Sequence, residues 1–428
     1  MRICLTAVCL DFVQGVGADS QGVMSKRTAR MMEEGSSSRH NISGGSQRSS
    51  PESTRSLRSE DLSVVNENGR AYPNDTFFMP CDSQEQTRLS ILHRVFLNAL
   101  GGQLTTAPLP STIERILDVG SGSGDWAVAI ALEYPGAEVV AVDLAVWDVE
   151  AAEEDAKQRL DEQGMHDVEL PEVTWEIADL DMWGPVEHVE VTVEEGIEDE
   201  HVAKSVTGLN TQEGGKGRAN SVQSNRSSRR ESWRRSYNPP SRRGSVNLGW
   251  NFSEPFDFIH IRGMKGAFAY WTGVYRECYA NLVPGGWLEV VDFQYHIAQP
   301  DSVMREVFIN FHAVASKSGY PVTTTHLQRE FFEAAGFEEY EMIAIDIPLG
   351  AWPGDDENHT LGKMHLVSLV ESIEATALRS MTKHAGFTKE EVQERCGDVV
   401  QELLTGVHDQ LETSFRFVRA RKPLNDDK

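Results

Sequence analysis

Residues 116–124 read ILDVGSGSG, and their reading decides the fold. An apolar run enters, Asp118 closes it, and Gly120, Gly122 and Gly124 alternate before a helical pattern that opens at Asp125. This is the grammar of a strand, a tight turn and a helix. Glycine suits the turn because it takes positive φ, and because without a Cβ it lets a ligand approach the backbone itself.

Downstream, the alternation of strand and helix patterns continues. Asp125 to Glu133 reads as an amphipathic helix, Glu138 to Val142 as a strand ending at Asp143, and Ala151 to Gln163 as a charged surface helix. Val173 to Ile177 is a third strand, followed by Asp179 and Asp181. FDFIHI (256–261) is a fourth, and WLEVVDF (287–293) a fifth, entered through a turn at VPGG (283–286). Ser302 to Ala315 reads as a helix, Glu341 to Ile347 as a strand, Leu361 to Ser380 and Thr388 to Thr405 as amphipathic helices, and FRFVRA (415–420) as the last strand. Alternating strands and helices imply an α/β fold with a doubly wound, mostly parallel sheet, to which a late strand adds an antiparallel edge. The late helical pair needs somewhere to bury its apolar face, and is expected to lie over the strand ends as a lid within 348–412.

Two stretches break the pattern. Residues 1–68 are expected to be a tail, since Gln21 to Asn68 is rich in Ser, Arg and Glu with no aromatic residue and cannot offset chain entropy by burial. Residues 184–250 run from acidic through Gly/Ser/Asn to paired arginines, and are expected to be a disordered insertion within a domain spanning 69–423. Setting both aside leaves about 290 residues, enough for one large core. Within the insertion, arginine pairs precede Ser232 and Ser245 at a spacing basophilic kinases favour, and clustered arginines also resemble a nuclear import signal.

The formal net charge of −26 and pI near 4.9 argue against a general nucleic-acid or membrane-surface binder, which needs a basic footprint. No apolar run reaches the roughly 18 residues of a membrane helix. The first 18 residues look like a weak signal peptide, but Asp11 and the shortness of the run favour a disordered leader. Five scattered cysteines without C-x-x-C spacing support neither a disulfide framework nor a zinc site, so a reducing compartment, cytoplasmic or nuclear, and no metal are expected.

In a doubly wound sheet, ligands bind outside the carboxyl ends of the strands. That rim carries Asp118 and the glycines after strand one, Asp143 after strand two, Asp179 after strand three, His260 and Arg262 at strand four, and Asp292 with His296 at strand five. A dinucleotide wants G-x-G-x-x-G and a pyrophosphate at the helix N-terminus. Here the spacing is G-x-G-x-G, and Asp125 at the first helical position would repel a pyrophosphate. A nicotinamide-dependent oxidoreductase is therefore disfavoured. S-adenosylmethionine, cationic at sulfonium and ammonium and free of phosphate, suits a rim of acids.

At these residues the chain resembles class I S-adenosylmethionine-dependent methyltransferases and, within them, the LaeA-like fungal methyltransferases associated with control of secondary metabolism. The resemblance covers roughly 68–423 outside the insertion. It rests on NGRAYPNDTFFMPCDSQEQTRL, ILDVGSGSGDWAVAIA, WEIADLDMW, FDFIHIRGM, WTGVYRECYANLVPGGWLEVVDF and GFTKEEVQE, in that order. It implies a Rossmann-like seven-stranded sheet and S-adenosyl-L-methionine as cofactor. It further implies that Asp118 accepts from the methionine ammonium, Gly120, Gly122 and Gly124 let the loop lie against the methionyl part, Asp143 takes the ribose hydroxyls, and Asp179 accepts from the adenine amine. The acceptor is a small molecule or a protein. His260, Asp292 and His296 are the candidate general bases, though His260, alternating with two isoleucines, also reads as a core histidine. Trp126, Trp271, Tyr275 and Trp352 read as packing aromatics before pocket walls. Against an active enzyme stands a regulatory scaffold that binds cofactor and works through protein partners and a phosphorylated insertion.

Overall fold

The computed structural model describes residues 63–162, 164–185, 249–250, 252–295, 301–405 and 410–424. The segments expected to be a tail and an insertion fall mostly outside these. A short hairpin comes first, β1 (Val65–Glu67) and β2 (Arg70–Tyr72), turned by Asn68 and Gly69, both at positive φ. Asn-Gly supports such a turn because its twist matches that of the paired strands. β1 lies inside the expected tail, so ordered chain begins before residue 69. Helix α1 (Ser83–Ala99) starts at Asp82, whose carboxylate accepts from the Glu85 backbone N–H and pairs with Arg70 at 2.6 Å.

The expected alternation follows: β3 (Arg115–Val119), α2 (Asp125–Glu133), β4 (Glu138–Asp143), α3 (Val149–Glu162), β5 (Val173–Ile177), β6 (Phe256–Arg262), α4 (Trp271–Ala280) and β7 (Leu282–Tyr295). Then come α5 (Val303–Lys317), α6 (Arg329–Ala335), β8 (Glu338–Pro348), α7 (Asp356–His384), α8 (Lys389–Leu404) and β9 (Glu412–Arg421). One seven-stranded sheet runs β5-β4-β3-β6-β7-β9-β8, parallel except for β9. The strand order reverses between β3 and β6, the switch point where such sheets hold ligands. Alternation along the strands splits the core. Leu117, Val119, Ile259 and Ile261 pack on α4 and α6, while Ile116, Phe258 and Val139 face α2.

Two expectations are corrected. The antiparallel strand is not at the edge: β8 arrives parallel to β7 one strand further out, and β9 fills the slot between them. Nor is VPGG a turn. It belongs to β7, where the register against β6 jumps from Phe256↔Leu282 to Phe258↔Trp287, so the Pro-Gly-Gly signal marks a bulge rather than an end.

The flanks of the long insertion meet in space. The Trp250 indole N–H donates to the Leu180 carbonyl (3.2 Å), and the Trp250 backbone N–H to Glu277 (2.8 Å). Joining Pro185 to Gly249 through a short Gly/Ser linker is expected to raise the thermal midpoint by about 5 °C or less, since shortening a closed loop lowers its closure cost only logarithmically. A loss of more than about 6 °C in differential scanning calorimetry would show that residues 186–248 pack on the domain.

Candidate active site

A cleft of about 340 Å³ opens beyond the carboxyl ends of β3 to β7. Its floor is the loop from Val119 to Asp125. All three loop glycines have positive φ, from 54° to 87°. A Cβ on Gly124 would lie 2.6 Å from the Trp175 ring, and one on Gly120 2.3 Å from the Met264 sulfur, so backbone and space both demand glycine there.

Asp143, at the end of β4, holds this loop. Its Oδ2 accepts from the Gly122 N–H and its Oδ1 from the Ala145 N–H, both at 2.8 Å. Burial raises its pKa, and these two N–H donors oppose the rise. A carboxylate offers about four lone-pair sites, so after both bonds Asp143 can still accept from a diol in the cleft. Asp179 lines the same end. One of its oxygens accepts from the Asp181 N–H (3.0 Å), whereas Asp181 is engaged by the Tyr320 hydroxyl (3.0 Å) and the Trp183 N–H. Asp179 is thus the freer acceptor of the two.

Asp118 stands elsewhere. Its side chain shares a sheet face with Ile116, toward α2, and is not among the cleft-lining groups. Its Oδ1 accepts from His260 Nδ1 (3.0 Å), and His260 stacks on Trp126 with ring centroids 3.7 Å apart. His260 Nε2 lies 3.9 Å from Glu289, itself wholly buried. Asp118 is thus bonded to His260 beneath the loop, and neither side chain is among the groups that line the cleft. Both brace the strand ends from beneath, because strand alternation sends these positions to the α2 face. His296 lies outside the described residues. Trp126, Trp271, Tyr275 and Trp352 do not line the cleft and serve packing, as expected: Trp271 stacks on His326, and Trp352 donates to the Leu411 carbonyl.

The other end of the cleft was not legible from sequence. Phe77 and Phe78 reach it from the segment before α1, Phe293 and Tyr295 from β7, and Phe308 and Phe311 from α5. Ile373 and Thr376 of α7 close one wall, while α8 contributes no lining group and packs on α7 and α5. Lys265 sits among these aromatics, its ammonium 3.7 Å from the Phe293 ring centroid and 3.3 Å from Asp292, and burial lowers its pKa. His312 also faces the cleft, pushed down to about 4 by burial and then by the Lys265 ammonium. The imidazole rests neutral, and the same two causes make it a weaker base than a free histidine. The only sequence signal for these groups was the length of the block around FFMPC, whose partners lie some two hundred residues or more away.

His326 and His365 are likewise held near 4, with burial the first cause. Their unfolded value is about 6.5, so between about pH 4 and 6.5 the unfolded chain binds more protons than the folded one. The stability they contribute is complete above that window and lost as pH falls through it. The thermal midpoint is expected to drop steadily from pH 6.5 toward 4.5, and less steeply in His365→Gln. A flat profile over this range would contradict the burial of neutral histidines.

Among the described residues no helix is long and apolar enough to cross a membrane, and no group of three or more His, Cys, Asp or Glu could hold a metal ion. The sequence profile described as a methyltransferase domain matches residues 91–392. Across 328 residues the chain is 26% identical to "Methyltransferase pytC" of Aspergillus terreus, covering 75% of this chain and 76% of that one. It is 26% identical to "Secondary metabolism regulator LAE1" of Cochliobolus heterostrophus (74% and 81% covered) and 24% identical to "Protein-methionine methyltransferase laeA" of Emericella nidulans (86% and 79% covered). With the sheet order, the glycine loop at its switch point and a profile match spanning most of the chain, this protein belongs to the methyltransferase-domain family.

Proposed function

We propose that this methyltransferase holds S-adenosylmethionine along the glycine loop, with its adenosine at Asp143 and Asp179, and presents its methyl group to an acceptor in the aromatic arm of the cleft. One observation carries the reading: Asp143 and Asp179, the Gly120–Gly122 backbone and a set of aromatic rings that includes Phe293, Phe308 and Phe311 all line one cleft. The bound cofactor supplies a methyl carbon already activated by the sulfonium. The chain's own work is positioning, in which the rings of Phe293, Phe308 and Phe311 exclude water and fix the acceptor's approach. For a hydroxyl or amine acceptor, His312 is placed to take the proton. A thioether, which the name of the Emericella relative suggests, would need no base. The relatives named as secondary-metabolism regulators support a role in the same sphere for this chain, with a small molecule or a protein as acceptor.

Titration calorimetry with S-adenosylhomocysteine, paired with transfer of labelled methyl into cell extract, tests this. Binding with transfer supports the reading, and absence of binding refutes it. Binding without transfer would favour the regulatory scaffold. His312→Gln is expected to slow transfer to an oxygen or nitrogen acceptor about tenfold or more while leaving cofactor affinity unchanged. An unchanged rate would remove His312 from proton transfer.

A further inference from the structure

The expected partner of the methionine ammonium, Asp118, is bonded to His260 and does not line the cleft, and the loop's other acid, Asp125, has one oxygen engaged and, among the described residues, is paired with no cation to match a carboxylate. Asp125 Oδ2 accepts from the hydroxyls of Ser90 (2.9 Å) and Ser123 (2.5 Å). Yet the amino-acid end of the donor is a zwitterion, and burying it without partners would be costly. The wall formed by α1 carries a pair that matches it.

Glu85 and Arg88 both line the cleft, and their side chains are only 3% and 9% exposed. Arg88 Nε and Nη2 donate to the two Glu85 oxygens at 2.8 and 2.6 Å, a bidentate fork one helical turn in length. Nη1 makes no hydrogen bond among the described residues. Each Glu85 oxygen keeps accepting capacity beyond the one bond it has. The pair stands beside the loop, since Leu89, the next residue of α1, has its Cδ1 3.1 Å from where a Cβ on Gly122 would sit. A buried ion pair adds little to stability over an apolar pair of similar volume, so its presence in a cleft wall calls for another reason.

We infer that Glu85 and Arg88 form the receptor for the amino-acid end of the methyl donor, Arg88 taking its carboxylate and Glu85 its ammonium. This rests on reading the cleft as an S-adenosylmethionine site. A neutral pair receiving a neutral zwitterion adds no net charge to the buried wall, and the planar guanidinium keeps an edge for the carboxylate while still paired. The pairing also separates donor from competitor. A pyrophosphate would bring two negative charges against Glu85 and Asp125, and at this end of α1 the guanidinium of Arg88 is already paired with Glu85.

Titration calorimetry on the intact chain with three nucleosides decides the matter: S-adenosylhomocysteine, its aminopropyl-thioadenosine analogue lacking only the carboxylate, and methylthioadenosine lacking the whole amino-acid end. Arg88→Met is expected to weaken S-adenosylhomocysteine about 50-fold and the two analogues no more than about threefold, the size of a lost charged hydrogen-bonded pair. Arg88→Lys, which keeps the charge and loses the fork, should fall between. Because Arg88→Met strands Glu85, the charge-free double variant Glu85→Gln/Arg88→Met is the folding control. It should keep a near wild-type thermal midpoint and methylthioadenosine affinity while losing preference for S-adenosylhomocysteine. Equal weakening of all three ligands, or none, overturns the inference and leaves the donor site standing. A wild-type chain that binds none of them overturns both.

Discussion

Asp143→Ala is expected to weaken S-adenosylhomocysteine binding by about 100-fold or more, roughly 3 kcal/mol, as two charge-assisted contacts to a diol are lost. The loss has a second source. Asp143 is the acceptor for the Gly122 and Ala145 N–H groups, so its removal leaves two amides at the cleft floor without their acceptor and frees the loop to move. Asp143→Asn separates the two sources. It keeps the shape and one carbonyl acceptor but turns an NH₂ group toward one of those N–H donors. It should bind about as poorly as Asp143→Ala while losing less thermal stability. Calorimetry and a thermal melt on both variants check this. Affinity within about threefold of wild type in either variant would place the ribose elsewhere.

Much of that site was legible because local chemistry wrote it. The G-x-G-x-G spacing forces positive φ at three alternate positions, and Asp143 and Asp179 follow strand patterns that cannot extend further. Asp118 reads as a ligand because it is a strand-end acid beside a glycine loop, yet its partner is His260. The period of two, counted from Ile116, already sends it to the α2 face, but only the packing of Trp126 over His260 shows that this face is closed. The aromatic arm was hidden for a different reason. Its walls come from residues 77–78, 293–295, 308–312 and 372–377, and no short-range signal joins segments so far apart in the chain. The misread VPGG shows a limit of turn grammar. Pro-Gly-Gly ends a strand in isolation, whereas pairing with β6 on either side of it and backbone hydrogen bonds joining Gly285 and Gly286 to Lys422 carry β7 through it as a bulge.

Arg379→Met is expected to lower the thermal midpoint by about 5–10 °C, from a loss of roughly 3 kcal/mol, and to weaken acceptor-side function with it. Arg379 is a fully buried cation on α7, facing neither solvent nor the cleft. Its Nε pairs with Glu67 on β1 at 3.0 Å, its Nη1 donates to the carbonyls of Asn74 (2.6 Å) and Phe77 (2.7 Å), and its guanidinium lies 4.0 Å over the Tyr72 ring. One side chain thus ties the opening hairpin and the loop after it to the helix that closes the cleft. Glu67 is partly exposed and also meets Lys383, so it can be rehydrated, and the ion pair alone would not cost so much. The two carbonyls are the larger part, because they lose their donor while the loop they belong to holds Phe77 and Phe78 in the aromatic arm. Glu67→Gln/Arg379→Met should therefore recover little of the stability, in contrast to a simple ion pair. The same variants should keep affinity for S-adenosylhomocysteine within about threefold, since Asp143, Asp179 and the glycine loop are untouched, while methyl transfer falls about tenfold or more as the acceptor wall loosens. Full recovery in the double variant would reduce Arg379 to half of an ion pair. Unchanged transfer in a destabilised Arg379→Met would detach the 74–78 loop from acceptor binding.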